Sequence, residues 1–358
     1  MAYTTIDDPS AYFQTKLYTG NSSTQSITFD GNTNMQPDWV WIKSRSATEW
    51  HQVHDSVRGV AKYLFTNTTS AEGERSPNDQ VTSFDSNGFS LGAGANDSVN
   101  TNSGSYVSWN WKAGTSFTND ASATGIGSID SSGSASDTAG FSIVSYTGTG
   151  SNGTVKHGLT SAPKHIIIKR RDSAEQFINY HHTIGNTGGV YLNLDNAAVD
   201  NNTWFNDTSP TSTVFSIGTN GKSNASSATY IAYCFAEKKG YSKFSSYKGN
   251  NQTGNNAPFI YTGFKPAWLM VKKYSDTNHW IIWDNKRSTK NGFNIIDKKL
   301  YANLSNAENG ADDVSFLSNG FKFNTNTGDW NEVQDYIYMC FAESPFVTGA
   351  SGIPTTAR

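Results

Sequence analysis

Cysteine is nearly absent from this chain of 358 residues, which has only Cys234 and Cys340. Both stand in the same local context, Tyr-x-x-x-Cys-Phe-Ala-Glu, at equivalent places in two copies of one pattern. A disulfide would have to join equivalent points of separate copies with specific geometry, so two buried free thiols packing as small hydrophobes are expected. Charge is scarce as well, at 16% of residues, with 27 basic and 30 acidic side chains and a formal net charge of −3. Such a chain has no basic field for a phosphate backbone or an anionic membrane, and nucleic acid is not an expected partner. No run of about 18 or more apolar residues occurs. The opening Met1-Ala2-Tyr3-Thr4-Thr5 lacks the basic and apolar segments of a secretory signal, so synthesis in a cytoplasm without membrane insertion is expected. No Gly-rich phosphate loop, Gly-x-Ser-x-Gly elbow or Cys-x-x-Cys pair is present. His51, His54 and Asp55, and likewise His181 and His182, lack the repeated ligand count of a closed metal site, and no cofactor is expected.

What the chain does have is glycine, 32 residues of it, aromatics at 13%, and abundant Ser, Thr and Asn beside only 35% hydrophobic residues. That balance describes many short strands joined by polar turns. No segment keeps a helical apolar period, so helices are expected only as short connectors.

One pattern occurs three times. Tyr18-Thr19-Gly20, Tyr146-Thr147-Gly148 and Tyr247-Lys248-Gly249 each open a copy, and a proline followed by an apolar run ending in lysine comes next: Pro37 to Lys43, Pro163 to Lys169, Pro266 to Lys272. Each copy closes on an aromatic strand, Tyr106 to Trp111, Tyr230 to Phe235 and Tyr336 to Phe341. The markers keep step, about 126 residues from the first copy to the second and about 103 from the second to the third, which is the mark of a triplicated module. The fold expected is all-β, with three tandem homologous β-sandwich modules of the jelly-roll or lectin-like kind. The divisions are an N-terminal arm at 1–11, modules at 12–115, 139–239 and 240–346, a flexible Ser/Gly-rich linker at 116–138, and a C-terminal tail at 347–358. The two ends have no place in the repeat and read as docking elements.

Alternation assigns strand faces. In the closing strands Val107, Trp109 and Trp111, then Ile231, Tyr233 and Phe235, then Ile337, Met339 and Phe341 form a core face. Ser108 and Asn110 make the opposite face of the first copy polar, so that copy reads as the more solvated. Asn87-Gly88 and Asn319-Gly320 read as hairpin turns, with Gly218 to Gly221 in the matching place of the second copy. In the lysine-ended strands Trp39, Trp41 and Trp268 point away from Val40, Ile42 and Leu269. They are the candidate binding residues, because exposed Trp rings serve sugars and partner proteins alike. The competing expectation is that a second sheet or a neighbouring subunit covers them.

Trp50-x-x-x-His54, Phe177-x-x-x-His181 and Trp280-x-x-x-Asp284 also recur. Glu49 and Asp55 flank the first of these without a counterpart in the third. A polar contact at a strand edge is therefore favoured over an active site, and the chain is not expected to be an enzyme.

The stretch Ala139 to Gly148, followed by Val155 to Lys164 and Ile166 to Arg171, together with Tyr230 to Glu237, the ending Phe341 to Phe346 and Pro354 to Arg358, resembles a repeat family of virion proteins of tailed phages, many of them marine and cyanobacterial. Phe177 departs from the tryptophan usual at that place. The resemblance implies a particle component, a tail fibre or appendage subunit. Other virion proteins and further copies of the chain, as a homo-oligomer, trimeric or higher, are the expected partners, and the aromatic face adds a host-surface glycan. The alternative is a passive head-decoration or head-borne projection protein, and a glycan-cleaving enzyme ranks below both because no matched carboxylate pair is present.

Overall fold

The computed structural model describes residues 3–76, 78–93, 98–290, 294–310, 313–349, 352 and 354. Its regular structure is antiparallel strand, and the α-helices among the described residues are single turns of four residues. Three large sheets share one strand order, and each defines a unit. In the first, the opening strand Phe13–Thr19 pairs with the closing strand Ser105–Trp111, which pairs in turn with Trp39–Ser44, Gln52–Asp55 and Lys62–Phe65. The second runs Phe141–Thr147, Thr229–Phe235, His165–Arg170, Ile178–His181, Gly185–Tyr191, and the third Ser242–Lys248, Asp335–Pro345, Phe264–Lys273, Trp280–Asp284, Lys299–Tyr301. The register is equivalent as well. Trp39 lies opposite Trp111, His165 opposite Phe235 and Trp268 opposite Phe341.

Each large sheet is covered on both faces because each is a middle layer. Outside it lies a small sheet, and the two enclose a local core. Val40, Ile42, Phe89 and Leu91 meet in the first unit, Ile166, Ile168, Phe215 and Ile217 in the second, and Leu269, Val271, Phe321 and Phe323 in the third. The inner faces of all three large sheets converge on one shared core, where Trp39, Trp109 and Trp111 meet Phe141, Tyr233 and Phe235 and then Trp268, Met339 and Phe341.

The tyrosines that mark the repeat are pins within the units. The hydroxyls of Tyr18, Tyr146 and Tyr247 donate to the carbonyls of Val99, Ser223 and Trp330 at 2.8, 2.8 and 2.7 Å. Their rings stack on Tyr106, Tyr230 and Tyr336 at 5.1, 5.1 and 4.9 Å. A buried asparagine completes each pin, since the side-chain amides of Asn100, Asn224 and Asn331 each donate to two backbone carbonyls. This satisfies chain that would otherwise be buried without partners.

Several expectations are corrected. Residues 116–138 are not a free linker, because Thr115–Asn119 and Ser131–Ser136 extend the second large sheet to eight strands around the helical turn Ala121–Thr124. Small residues serve close approach here. A Cβ on Gly133 would lie 2.0 Å from the carbonyl oxygen of Ile143. Ser108 and Asn110 are fully buried, and the Asn110 amide donates to the carbonyls of Gln14 and Ser108. The first unit is thus covered like the others. Asn87-Gly88 and Asn319-Gly320 do close hairpins, but Asn220 caps the helical turn Gly221–Asn224 instead. The N-terminal arm docks within the chain itself: Thr4 Oγ1 donates to the Lys239 carbonyl at 2.7 Å, and Ile6 joins the shared core. The tail returns along itself through a bridge between Val347 and Pro354, while its residues 350, 351, 353 and 355–358 lie outside the described residues.

Candidate functional site

The residues chosen from sequence as an exposed platform are not exposed. Trp39 and Trp41 are 1% accessible and Trp268 0%. Trp39 of the first unit stacks on Tyr233 of the second with ring centres 4.5 Å apart, and Trp268 of the third meets Trp111 of the first edge-on at 5.6 Å. Trp41 Nε1 donates to His51 Nδ1 at 2.9 Å. Burying three indoles between sheets removes a large apolar area from water, which is why the lysine-ended strands are aromatic on this side. The platform expected from sequence is therefore the packing surface that joins the units.

The junctions also carry charge, and here the sequence frame shifts by one residue. Pairing places Asp55, His181 and Asp284 opposite Trp39, His165 and Trp268, so the recurring position in the first unit is Asp55 and not His54. Asp55 and Asp284 each hold an arginine three residues on, Arg58 and Arg287, with both partners of each pair fully buried. Each pair is then tied to the next unit. Arg58 reaches Glu72, which takes Arg171 of the second unit in a two-pronged contact at 2.8 and 2.9 Å, and Tyr233 donates to Asp55 at 2.8 Å. In the same way Arg287 reaches Glu308 of the third unit, Glu308 takes Arg45 of the first at 3.0 and 2.8 Å, and Trp109 Nε1 donates to Asp284 at 2.9 Å. Backbone bonds mark equivalent points at all three junctions, from the amides of Glu72, Ala198 and Glu308 to the carbonyls of Arg171, Tyr274 and Arg45. At the junction of the second and third units the network is replaced by Ile184, Ala198 and Tyr274, which pack on the shared core.

Replacing Arg287 with the isoleucine that stands at the equivalent Ile184 should cost about 3 kcal/mol, the low end of what breaking a buried ion pair costs. Asp284 would keep the donors of Trp109 and of the Arg287 amide, and Glu308 would keep Arg45. Completing the exchange with Asp284→His, Glu308→Ala and Arg45→Tyr should return most of the loss. Guanidinium unfolding reads both steps, and a single variant as stable as the parent would show that the network contributes nothing.

The lysines that end the repeated strands are spent on backbone. Lys272 Nζ donates to the carbonyls of Asp195, Lys273 and Asn278, and Lys169 Nζ to those of Thr69 and Glu175. Asp195 and Thr69 belong to the preceding unit, so these bonds also cross junctions. Burial pushes the Lys272 ammonium down to about 7 and those of Lys43 and Lys169 to about 8. The histidines are divided among separate partners: His54 is in contact with Gln52 and the Val60 carbonyl, while Asp55 is held by Arg58. Among the described residues no group of three or more His, Cys, Asp or Glu could hold a metal ion. Cys234 and Cys340 are free and buried, and burial raises both thiols. No helix among the described residues is long and apolar enough to cross a membrane.

On the surface, a cleft of about 320 Å³ opens between the first and third units, lined among others by Phe13, Thr15, Asp30 and Lys286. Asp30 bridges Lys16 and Lys286 at 3.1 Å each across its rim. The surface also carries exposed aromatic rings, Trp50, Phe259 and Tyr261.

These features define an all-β protein of three like sheets closed on a common core. The chain belongs to the family described as Domain of unknown function (DUF7483), which matches residues 8–345 and so takes in all three units together. No curated protein and no solved structure matches it.

Proposed function

We propose that this protein is a non-enzymatic structural component of a tailed-phage particle, a tail fibre or appendage-type subunit that works with other virion proteins and with further copies of itself. The repeat resemblance supplies the particle. The observation that carries the structural role is the burial of Trp39, Trp41 and Trp268 at the junctions, where aromatic surface serves cohesion of the chain. Their burial also removes those residues as host-glycan contacts, which favours a rigid building block over a receptor-binding tip formed by them. A head-borne projection would need the same rigidity, and position on the particle separates the two. The test is immunogold labelling of intact phage with antibody against this chain, alongside mass spectrometry of purified particles. Label at the tail or its appendages is expected. Label on the head would select the projection, and absence of the chain from purified particles would remove the proposal.

A further inference from the structure

The three units serve as controls for one another, and on the outer face of the small sheets they differ. In the first unit Ser26 and Thr28 point outward, flanking the inward Ile27, and in the second Thr154 and Lys156 flank the inward Val155. The third unit keeps the inward residue, Ile260, yet places Phe259 and Tyr261 at the outward positions, 45% and 53% exposed. Both lie on Phe259–Tyr261, an edge strand of its small sheet. The rings are held in place. Phe259 lies across Gly320, where a Cβ would come within 3.0 Å of ring atoms of Phe259. The Tyr261 hydroxyl meets that of Tyr3 at 3.3 Å, and Tyr3 is itself fixed by donating to the Gly263 carbonyl at 2.7 Å.

We propose that Phe259 and Tyr261 form a stacking platform for a β-linked pyranose chain. Two outward side chains on one strand are about 7 Å apart, so neighbouring sugar rings of one oligosaccharide can each cover an aromatic ring. Equatorially substituted, β-1,4-linked sugars present flat C–H faces suited to that contact, while hydroxyls at their edges find the Tyr261 and Tyr3 hydroxyls and the Lys322 ammonium across the strand pair. The size of the patch decides against a protein partner. About half of two aromatic side chains is roughly 200 Å², against about 800 Å² on each side of a stable protein interface.

The experiment is native gel electrophoresis in hydroxyethylcellulose, followed by calorimetric titration with cellohexaose. The parent protein should be retarded, and the double variant Phe259→Ser, Tyr261→Thr, which installs the residue types of the first unit, should lose about tenfold or more in affinity with its thermal midpoint unchanged. Phe259→Ser alone should show an intermediate loss. Trp50→Ser, which removes an exposed ring elsewhere, should bind as the parent does. A parent that is not retarded and takes up no cellohexaose at millimolar concentration overturns the proposal, as does equal retardation of the double variant. So does a parent that binds no sugar but self-associates in sedimentation through these two rings. None of these outcomes bears on where the chain sits in a particle, and the labelling experiment does not bear on sugar binding.

Discussion

Lowering the pH from 7 to 5 is expected to bring this protein to the edge of unfolding or past it. His51, His54, His157, His165 and His181 are buried, and burial holds each below the usual histidine range, His54 and His165 to about 3 and His157 to about 4. Neighbouring cations add to this for His51 beside Lys43 and for His54 beside Arg58. In the unfolded chain each would titrate near 6.5. At these imidazoles the folded state therefore binds fewer protons, so their contribution to stability is complete above about pH 6.5 and is lost as the pH falls toward the folded values. Each histidine contributes about 1.4 kcal/mol of loss per pH unit in that window. For His54, His157 and His165 at pH 5 this amounts to about 6 kcal/mol, within the range of the whole stability of an ordinary domain, and His51 and His181 act in the same direction. Urea midpoints followed by tryptophan fluorescence from pH 8 to pH 4 would show the fall, and His165→Phe should make it shallower. Midpoints that stay level from pH 7 to pH 5 would mean that these imidazoles are charged, or free to reach water, in the folded protein.

Trp268→Ala should destabilise the protein by about 5 kcal/mol, the upper end for removal of a buried aromatic ring. The ring touches Phe341 in its own unit and Phe13, Trp109 and Trp111 in the first. Neighbours from two sheets cannot collapse into the space without parting from one another, so the cavity persists. Trp→Ala at the half-exposed Trp50 should cost far less. Guanidinium unfolding of both variants checks the contrast. A loss at Trp268 no larger than that at Trp50 would return Trp268 to the role of a surface residue.

The closing strands and the lysine-ended strands could be read from sequence because alternation and repetition coincide there. Alternation gives two faces but not what lies against each. For Val40 and Trp41 both faces are covered, one by a small sheet and one by the neighbouring units, and nothing local to Trp39 or Trp41 distinguishes that from exposure. The shift from His54 to Asp55 is a failure of another kind. A one-residue slip exchanges the faces of a strand, and Trp50 is a plausible but wrong match for Phe177 and Trp280. The better signal was Asp-x-x-Arg, present at 55–58 and again at 284–287. Its partners were beyond reach, since Glu72 and Arg171 lie 99 residues apart and Arg45 and Glu308 lie 263 apart. Residues 116–138 misled through composition: Ser and Gly suit a flexible linker, and equally a strand that must approach its neighbour closely. At Phe259 and Tyr261 the clue was a departure from the other copies, an aromatic pair where they carry Ser, Thr and Lys.

Differential scanning calorimetry of the whole chain at pH 7.5 tests most directly whether the three units share one core. Sheets that bury their inner faces only against one another cannot melt separately, so a single endotherm is predicted, with equal calorimetric and van't Hoff enthalpies. Two or three resolved transitions, or a van't Hoff enthalpy near one third of the calorimetric value, would show units that fold independently and would contradict the shared core.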